Sequence, residues 1–144
     1  EIELPFLQRA LGGPFQLLPI MLRTQDPVTA ETLGHALART LAGRNALLVA
    51  SSDLSHFYSQ AVAGRLDAEM LARIAAFSPE DVMAAERSGQ GYACGAAGVS
   101  AVLWAARDLG ANQAVVLDYR TSADMTGDPT SVVGYGSAAI LKNA

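Results

Sequence analysis

The 144-residue chain holds one cysteine, Cys94, and two histidines, His35 and His56. His56 closes the segment Ser51-Ser52-Asp53-Leu54-Ser55-His56, and Cys94 stands in Ala93-Cys94-Gly95. Three arrangements fit one Cys, one His and one Asp. In a nucleophilic triad His56 would activate the thiol and Asp53 would orient His56. In a metal site the thiolate and an imidazole would be ligands, with a carboxylate beside them. In the inert arrangement Cys94 is a small buried residue, Ser52 or Asp53 caps a helix, and His56 is a first-turn residue. One cysteine and two histidines are too few for a self-contained tetrahedral site unless carboxylates or water complete it, so a metal here would need ligands from outside the chain.

The elements that must position these residues are readable in outline. The apolar run Ala46-Leu47-Leu48-Val49-Ala50 stops abruptly at Ser51-Ser52-Asp53, as a buried strand does when its carboxyl end delivers polar side chains to a cleft. Val62, Leu66, Met70 and Ile74 recur every fourth residue and make one stripe of a following helix, which places Asp53 and His56 in a strand-to-helix turn. Val99, Val102, Leu103, Ala106 and Leu109 have helical spacing and Gly110 closes that helix, so Cys94 lies at a helix amino terminus. There it faces the positive end of the helix dipole and unpaired amide donors, which favour a thiolate as nucleophile or ligand. In an α/β sandwich the carboxyl ends of strands and the amino termini of helices share a face, which would bring Asp53, His56 and Cys94 to one cleft.

The rest of the chain supplies the frame. Leu4 to Leu11 has a short helical pattern with Pro5 in its first turn. Phe15 to Leu22 reads as a strand, placed at an edge or bulge by Pro19. Thr29 can cap a helix with a core face of Leu33, Leu37 and Leu41, ending near Gly43. His35 falls opposite that stripe with nothing polar spaced to join it, and is assigned no role. Ser78, Pro79 and Asp81 are the cap, first position and capping-box acid of a short helix running to about Arg87. Ala114 to Leu117 is a second buried strand ending at Asp118-Tyr119. Arg120 to Ser131 is a loop around Gly127-Asp128-Pro129. Val132 to Leu141 is the last strand, and its glycines point to close backbone packing or a bulge.

A hydrophobic content of 51% over this length is that of one domain, residues 1–144. The formal charge of −4, spread along the chain, offers no basic stripe for a phosphate backbone, so nucleic acid is not an expected partner. No apolar run approaches the roughly 20 residues that a membrane span needs. A single cysteine cannot form an internal disulfide, which favours a reducing compartment and hence the cytoplasm. The chain begins with Glu1 rather than Met, and Glu1-Ile2-Glu3-Leu4-Pro5-Phe6-Leu7 looks like the middle of an element, so a piece of a longer protein is expected.

Taken jointly and in order, several motifs resemble the Memo-like family, which includes the bacterial proteins called AmmeMemoRadiSam system protein B. They are Glu1-Ile2-Glu3-Leu4-Pro5-Phe6-Leu7, Ser51-Ser52-Asp53-Leu54-Ser55-His56, Ala93-Cys94-Gly95 opening a helix, and Thr126-Gly127-Asp128 followed by Val132-Val133-Gly134-Tyr135. The resemblance implies the carboxyl-terminal half of a protein about twice as long. It also implies an α/β fold, a fragment of a three-layer α/β/α sandwich with a mixed, largely buried sheet, similar to class III extradiol dioxygenases that use non-haem iron. By carry-over, Cys94 is a candidate metal ligand, His56 a candidate ligand or acid/base, and Asp53 the residue that orients it. The family's two amino-terminal histidines are absent from this chain. Gly98 stands where the family often has proline, which leaves the helix start less rigid.

The expected function is therefore a metal-dependent, dioxygenase-like redox cleft holding iron or copper in the full-length protein, with no cofactor expected in this chain alone. The alternative is a non-catalytic binding module whose cleft holds a peptide or protein partner. The resemblance implies a small-molecule or peptide ligand and radical-SAM and AMMECR-type partner proteins. Truncation would uncover apolar surface and favour a homo-oligomer.

Overall fold

A computed structural model describes residues 2–143. Glu1, the first residue of the Glu-x-x-Leu-Pro motif, lies outside the described residues. Helix α1 spans Leu4–Leu11, with Pro5 in its first turn and Gly12 closing it at φ 63°. Helix α2 is Pro27–Leu41. Asp26 takes the capping role expected of Thr29, its Oδ1 accepting from the Thr29 amide at 2.9 Å. Strand β1 is His56–Tyr58, and α3 is Gln60–Ala75. Helix α4, Pro79–Ser88, starts as its sequence predicts, with the Ser78 side chain accepting from the Asp81 amide at 3.3 Å. Helix α5 is Ala96–Asp108, strand β2 Gln113–Thr121, the single turn α6 Ala123–Thr126, and strand β3 Val132–Leu141.

The α/β class expected from the sequence is the one observed. The described strands form one three-stranded sheet in the order β1-β3-β2, antiparallel throughout. Its register runs from Gln113 opposite Leu141 to Thr121 opposite Gly134 and shifts between Val116 and Asp118. Leu117 is the extra residue at that bulge. Arg120 and Thr121, expected in a loop, are paired with Tyr135 and Gly134, so β2 is longer than its apolar run.

Helix α3 lies against all three strands. The β3 glycines allow this approach, since a Cβ at Gly136 would stand 2.8 Å from Leu71 Cδ2. Met70, Leu71 and Ile74 of α3 join Val82 and Met83 of α4, Ala96, Ala97 and Leu103 of α5, and Leu54 in one buried cluster.

Two expected strands do not form. Residues 15–22 and 46–50 belong to no helix or ladder, and Leu18 is 80% and Leu47 68% exposed. An apolar run becomes a strand only when a neighbour takes its backbone hydrogen bonds, and no described strand pairs with either segment. The core face of α2 also differs from expectation. Ala30, Gly34 and Ala38 are buried, whereas Leu33, Leu37 and Leu41 are only half-buried, because α2 crosses α5 too closely for large side chains. A Cβ at Gly34 would stand 2.4 Å from Trp104 Cβ. Among the described residues no helix is long and apolar enough to cross a membrane.

Candidate metal centre

The segment carrying Asp53 and His56 runs along the edge of β3. The Leu54 amide donates to the Gly134 carbonyl at 3.0 Å, and the Gly134 amide donates to the Ser55 carbonyl at 2.9 Å. His56 therefore sits on β1, not in the first turn of a helix; α3 begins only at Gln60, after Ser59. Ser52 and Asp53 do not cap that helix. Ser52 instead serves α5, its Oγ accepting from the Gly95 amide at 2.9 Å while donating to the Asp53 carbonyl at 2.7 Å.

This cross-chain cap seats Cys94, just ahead of α5, against Asp53. The Cys94 amide donates to the Asp53 carbonyl at 3.1 Å, and the Asp53 amide donates to Cys94 Sγ at 3.3 Å. Ser52 Oγ lies 3.7 Å from the sulfur. The approach requires glycine after the cysteine, because a Cβ at Gly95 would stand 2.9 Å from the Ser51 carbonyl oxygen. Gln25 adds a second cap, its Oε1 accepting from the Ala97 amide at 2.9 Å.

The three side chains converge. One ligand atom from each of Asp53, His56 and Cys94 lies within 4.8 Å of the others, and His56 Nε2 is 3.4 Å from Asp53 Oδ2. Cys94 and Asp53 are exposed and His56 is half-buried. Cys94 is thus not the small buried residue of the inert arrangement. Two ligands bound at about 2.0–2.3 Å in a tetrahedral site stand roughly 3.6 Å apart, so a modest contraction of the cluster would fit a metal ion. The sulfur, imidazole and carboxylate donors suit a transition metal rather than magnesium or calcium. No fourth His, Cys, Asp or Glu joins the group among the described residues, and any remaining ligand has to come from elsewhere.

Aromatic rings border the cluster. His56 has its ring centroid 5.5 Å from that of Tyr92 and 5.8 Å from that of Phe57. Burial, followed by the charge of Glu86, pushes the Tyr92 hydroxyl above its ordinary pKa. Phe57 adopts φ 64°, a left-handed backbone that costs a residue with a Cβ, and its side chain is 79% exposed.

His35 stays remote from the cluster but is not the unpartnered surface residue expected. Its Nδ1 lies 2.5 Å from Asp108 Oδ2, and its ring packs 5.2 Å from Trp104. Asp108 is distant in sequence, so local spacing gave no sign of it, but Glu31, four residues earlier on the same helix, lies 3.6 Å from His35 Nε2 and was within reach of a helical reading.

Sequence reasoning also missed Asp67 on α3, which is fully buried. Its Oδ1 accepts from the Ser55 amide at 2.8 Å and its Oδ2 from the Tyr119 hydroxyl at 2.7 Å. Burial, with the Asp67 hydrogen bond, raises the Tyr119 pKa well above its ordinary value. A signal was present: Asp67 falls at helical spacing with the buried Ala63, Met70 and Ile74, a charge on the core side of the stripe.

The family described as "Memo-like protein" matches residues 1–139. A MEMO1 family protein of Nitrosopumilus maritimus is 35% identical over 98% of this chain and 51% of its own length. One from Methanococcoides burtonii is 37% identical over 99% and 54%, respectively. One from Methanocaldococcus jannaschii is 35% identical over 97% and 50%. The chain spans about half the length of the curated relatives it matches. By its match along nearly its whole length, the chain belongs to the Memo-like family.

Proposed function

We propose that Asp53, His56 and Cys94 form one wall of an iron or copper site in a dioxygenase-like redox cleft that the full-length protein completes. The observation that carries this reading is the convergence of three donor atoms within 4.8 Å from two segments far apart in the chain. Cys94 Sγ and the His56 imidazole would be the ligands, and the Asp53 carboxylate, 3.4 Å from His56 Nε2, would fix the ring orientation. When bound, the metal would supply Lewis-acid and redox chemistry. The chain's own part is to hold the sulfur against the Asp53 amide and, where the other half supplies the remaining ligands and leaves His56 off the metal, to keep its imidazole beside the Asp53 carboxylate ready to take or return a substrate proton. Iron and copper content of the full-length protein, compared with its Cys94→Ala and His56→Ala variants, tests this. Metal should fall in both variants, and content equal to wild type in both overturns the reading.

A second reading, a binding module whose cleft holds a peptide or protein, is favoured by one observation: exposed Phe57 beside Tyr58, Tyr92 and His56 makes an aromatic rim. Capture of a partner that is lost with Phe57→Ala yet keeps its strength in Cys94→Ala would support binding without metal chemistry. The family resemblance supports a small-molecule or peptide ligand and radical-SAM and AMMECR-type protein partners. The lone thiol of Cys94 supports a reducing, cytoplasmic setting.

A further inference from the structure

We propose that Asp67 is the positioning residue of the cluster, its buried carboxyl fixing the backbone that carries Asp53 and His56. The inference rests on the reading of these residues as a metal site. Asp67 reaches across the fold: from α3 it holds the Ser55 amide through one oxygen and the Tyr119 hydroxyl of β2 through the other. The residue it grips, Ser55, immediately precedes His56 and follows Asp53 by two positions.

Three features separate this role from ordinary core filling. First, a carboxyl group is among the costliest groups to bury, and among the described residues Asp67 has no ion-pair partner to offset that cost. Second, β3 is shaped to admit it. A Cβ at Gly134 would stand 1.9 Å from Asp67 Oδ2, and Gly134 is the same residue that pairs with Leu54 and Ser55. Third, the Ser55 hydroxyl is buried without a hydrogen-bond partner among the described residues, so Asp67 takes hold of the main chain and not of the side chain. A hydrogen bond to the main chain fixes the direction in which the next side chain leaves, and that side chain is the His56 imidazole. Loss of one such supporting contact typically weakens a metal site by about 10- to 100-fold.

The test uses the full-length protein in four forms: wild type, Asp67→Asn, Tyr119→Phe and a control truncation on α4, Val82→Ala. Asparagine keeps the volume of Asp67 but changes one acceptor into a donor. Cobalt(II) serves as the metal probe because its thiolate charge-transfer and ligand-field bands report ligand geometry. In the metal-free protein, the cross-relaxation peak between the His56 and Tyr92 rings reports the position of the imidazole.

Asp67→Asn should bind cobalt about tenfold or more weakly, with shifted ligand-field bands, and should lose or weaken the ring–ring peak. Tyr119→Phe should change both readouts in the same direction by less. Val82→Ala, even with a comparable fall in Tm, should leave both unchanged. An unaltered ring–ring peak in folded Asp67→Asn, or an equal loss of it in Val82→Ala, overturns the inference. Should Asp67→Asn not fold, Tyr119→Phe decides by the same peak. Absence of cobalt binding by wild type would defeat the metal reading alone, and the metal-free ring–ring peak would still decide the role of Asp67.

Discussion

Ser52 joins the two halves of the cluster, its hydroxyl accepting from the Gly95 amide and donating to the Asp53 carbonyl. Replacing it with alanine leaves the Gly95 amide at the start of α5 without its acceptor, a loss of about 1 kcal/mol. Ser52→Ala should therefore lower the urea midpoint by a corresponding amount and loosen metal binding at Cys94 in the full-length protein. A variant with wild-type stability and wild-type metal affinity would show that this bridge is idle. At this scale the residue types were legible in the sequence: Asp53, His56 and Cys94 stood out as scarce, reactive groups. The contact between them was only an expectation. Gly134 was read as a place of close backbone packing, as the structure bears out, but its partner Asp67 and the link to Tyr119 went unread, because a buried carboxyl is recognised by what surrounds it and those neighbours come from separate elements.

Among the elements, the α2–α5 crossing depends on small residues at the contact. Adding a methyl group at Gly34 would bring it within 2.4 Å of Trp104 Cβ and 2.8 Å of the Ala101 carbonyl oxygen, so the helices must separate. Gly34→Ala should cost about 1–3 kcal/mol despite the better helix propensity of alanine, and a gain in Tm would contradict the crossing described. The same helices are linked by His35, whose pKa is raised first by its hydrogen bond to Asp108 and further by Glu31. A raised folded value means that the contribution is complete below the ordinary value of 6.5 and is lost as pH rises through the folded value. The Tm difference between wild type and His35→Gln should accordingly be larger near about pH 5.5 than near about pH 8.5, and an equal difference at both would show that the imidazole charge plays no part. Elements set by local signals were legible. The bounds of α1 and β3 coincide with their expected ranges, and Ser78 caps α4 as its motif requires. The apolar runs at 15–22 and 46–50 were misread because strand pairing is not a local property.

On the scale of the whole molecule, the two unpaired runs leave Leu18, Met21 and Leu47 largely exposed together with free backbone edges. Surface of this kind favours association. Residues 1–144 produced alone should self-associate in light scattering at micromolar concentration, and Leu18→Lys with Leu47→Lys should shift the population toward monomer; a monodisperse monomer of the unaltered chain would refute this. By itself the sequence determined the α/β class, most helix limits, the reactive residue types and the family resemblance, because periodicity, caps and rare residues act over a few positions. Tertiary structure alone decided that Ser52 caps α5 rather than α3, that Cys94 is open to solvent beside Asp53 and His56, and that Asp67 lies beneath them. Those facts depend on which distant backbone atoms meet, and hydrogen bonds between segments far apart in the chain leave no periodic trace in the order of residues.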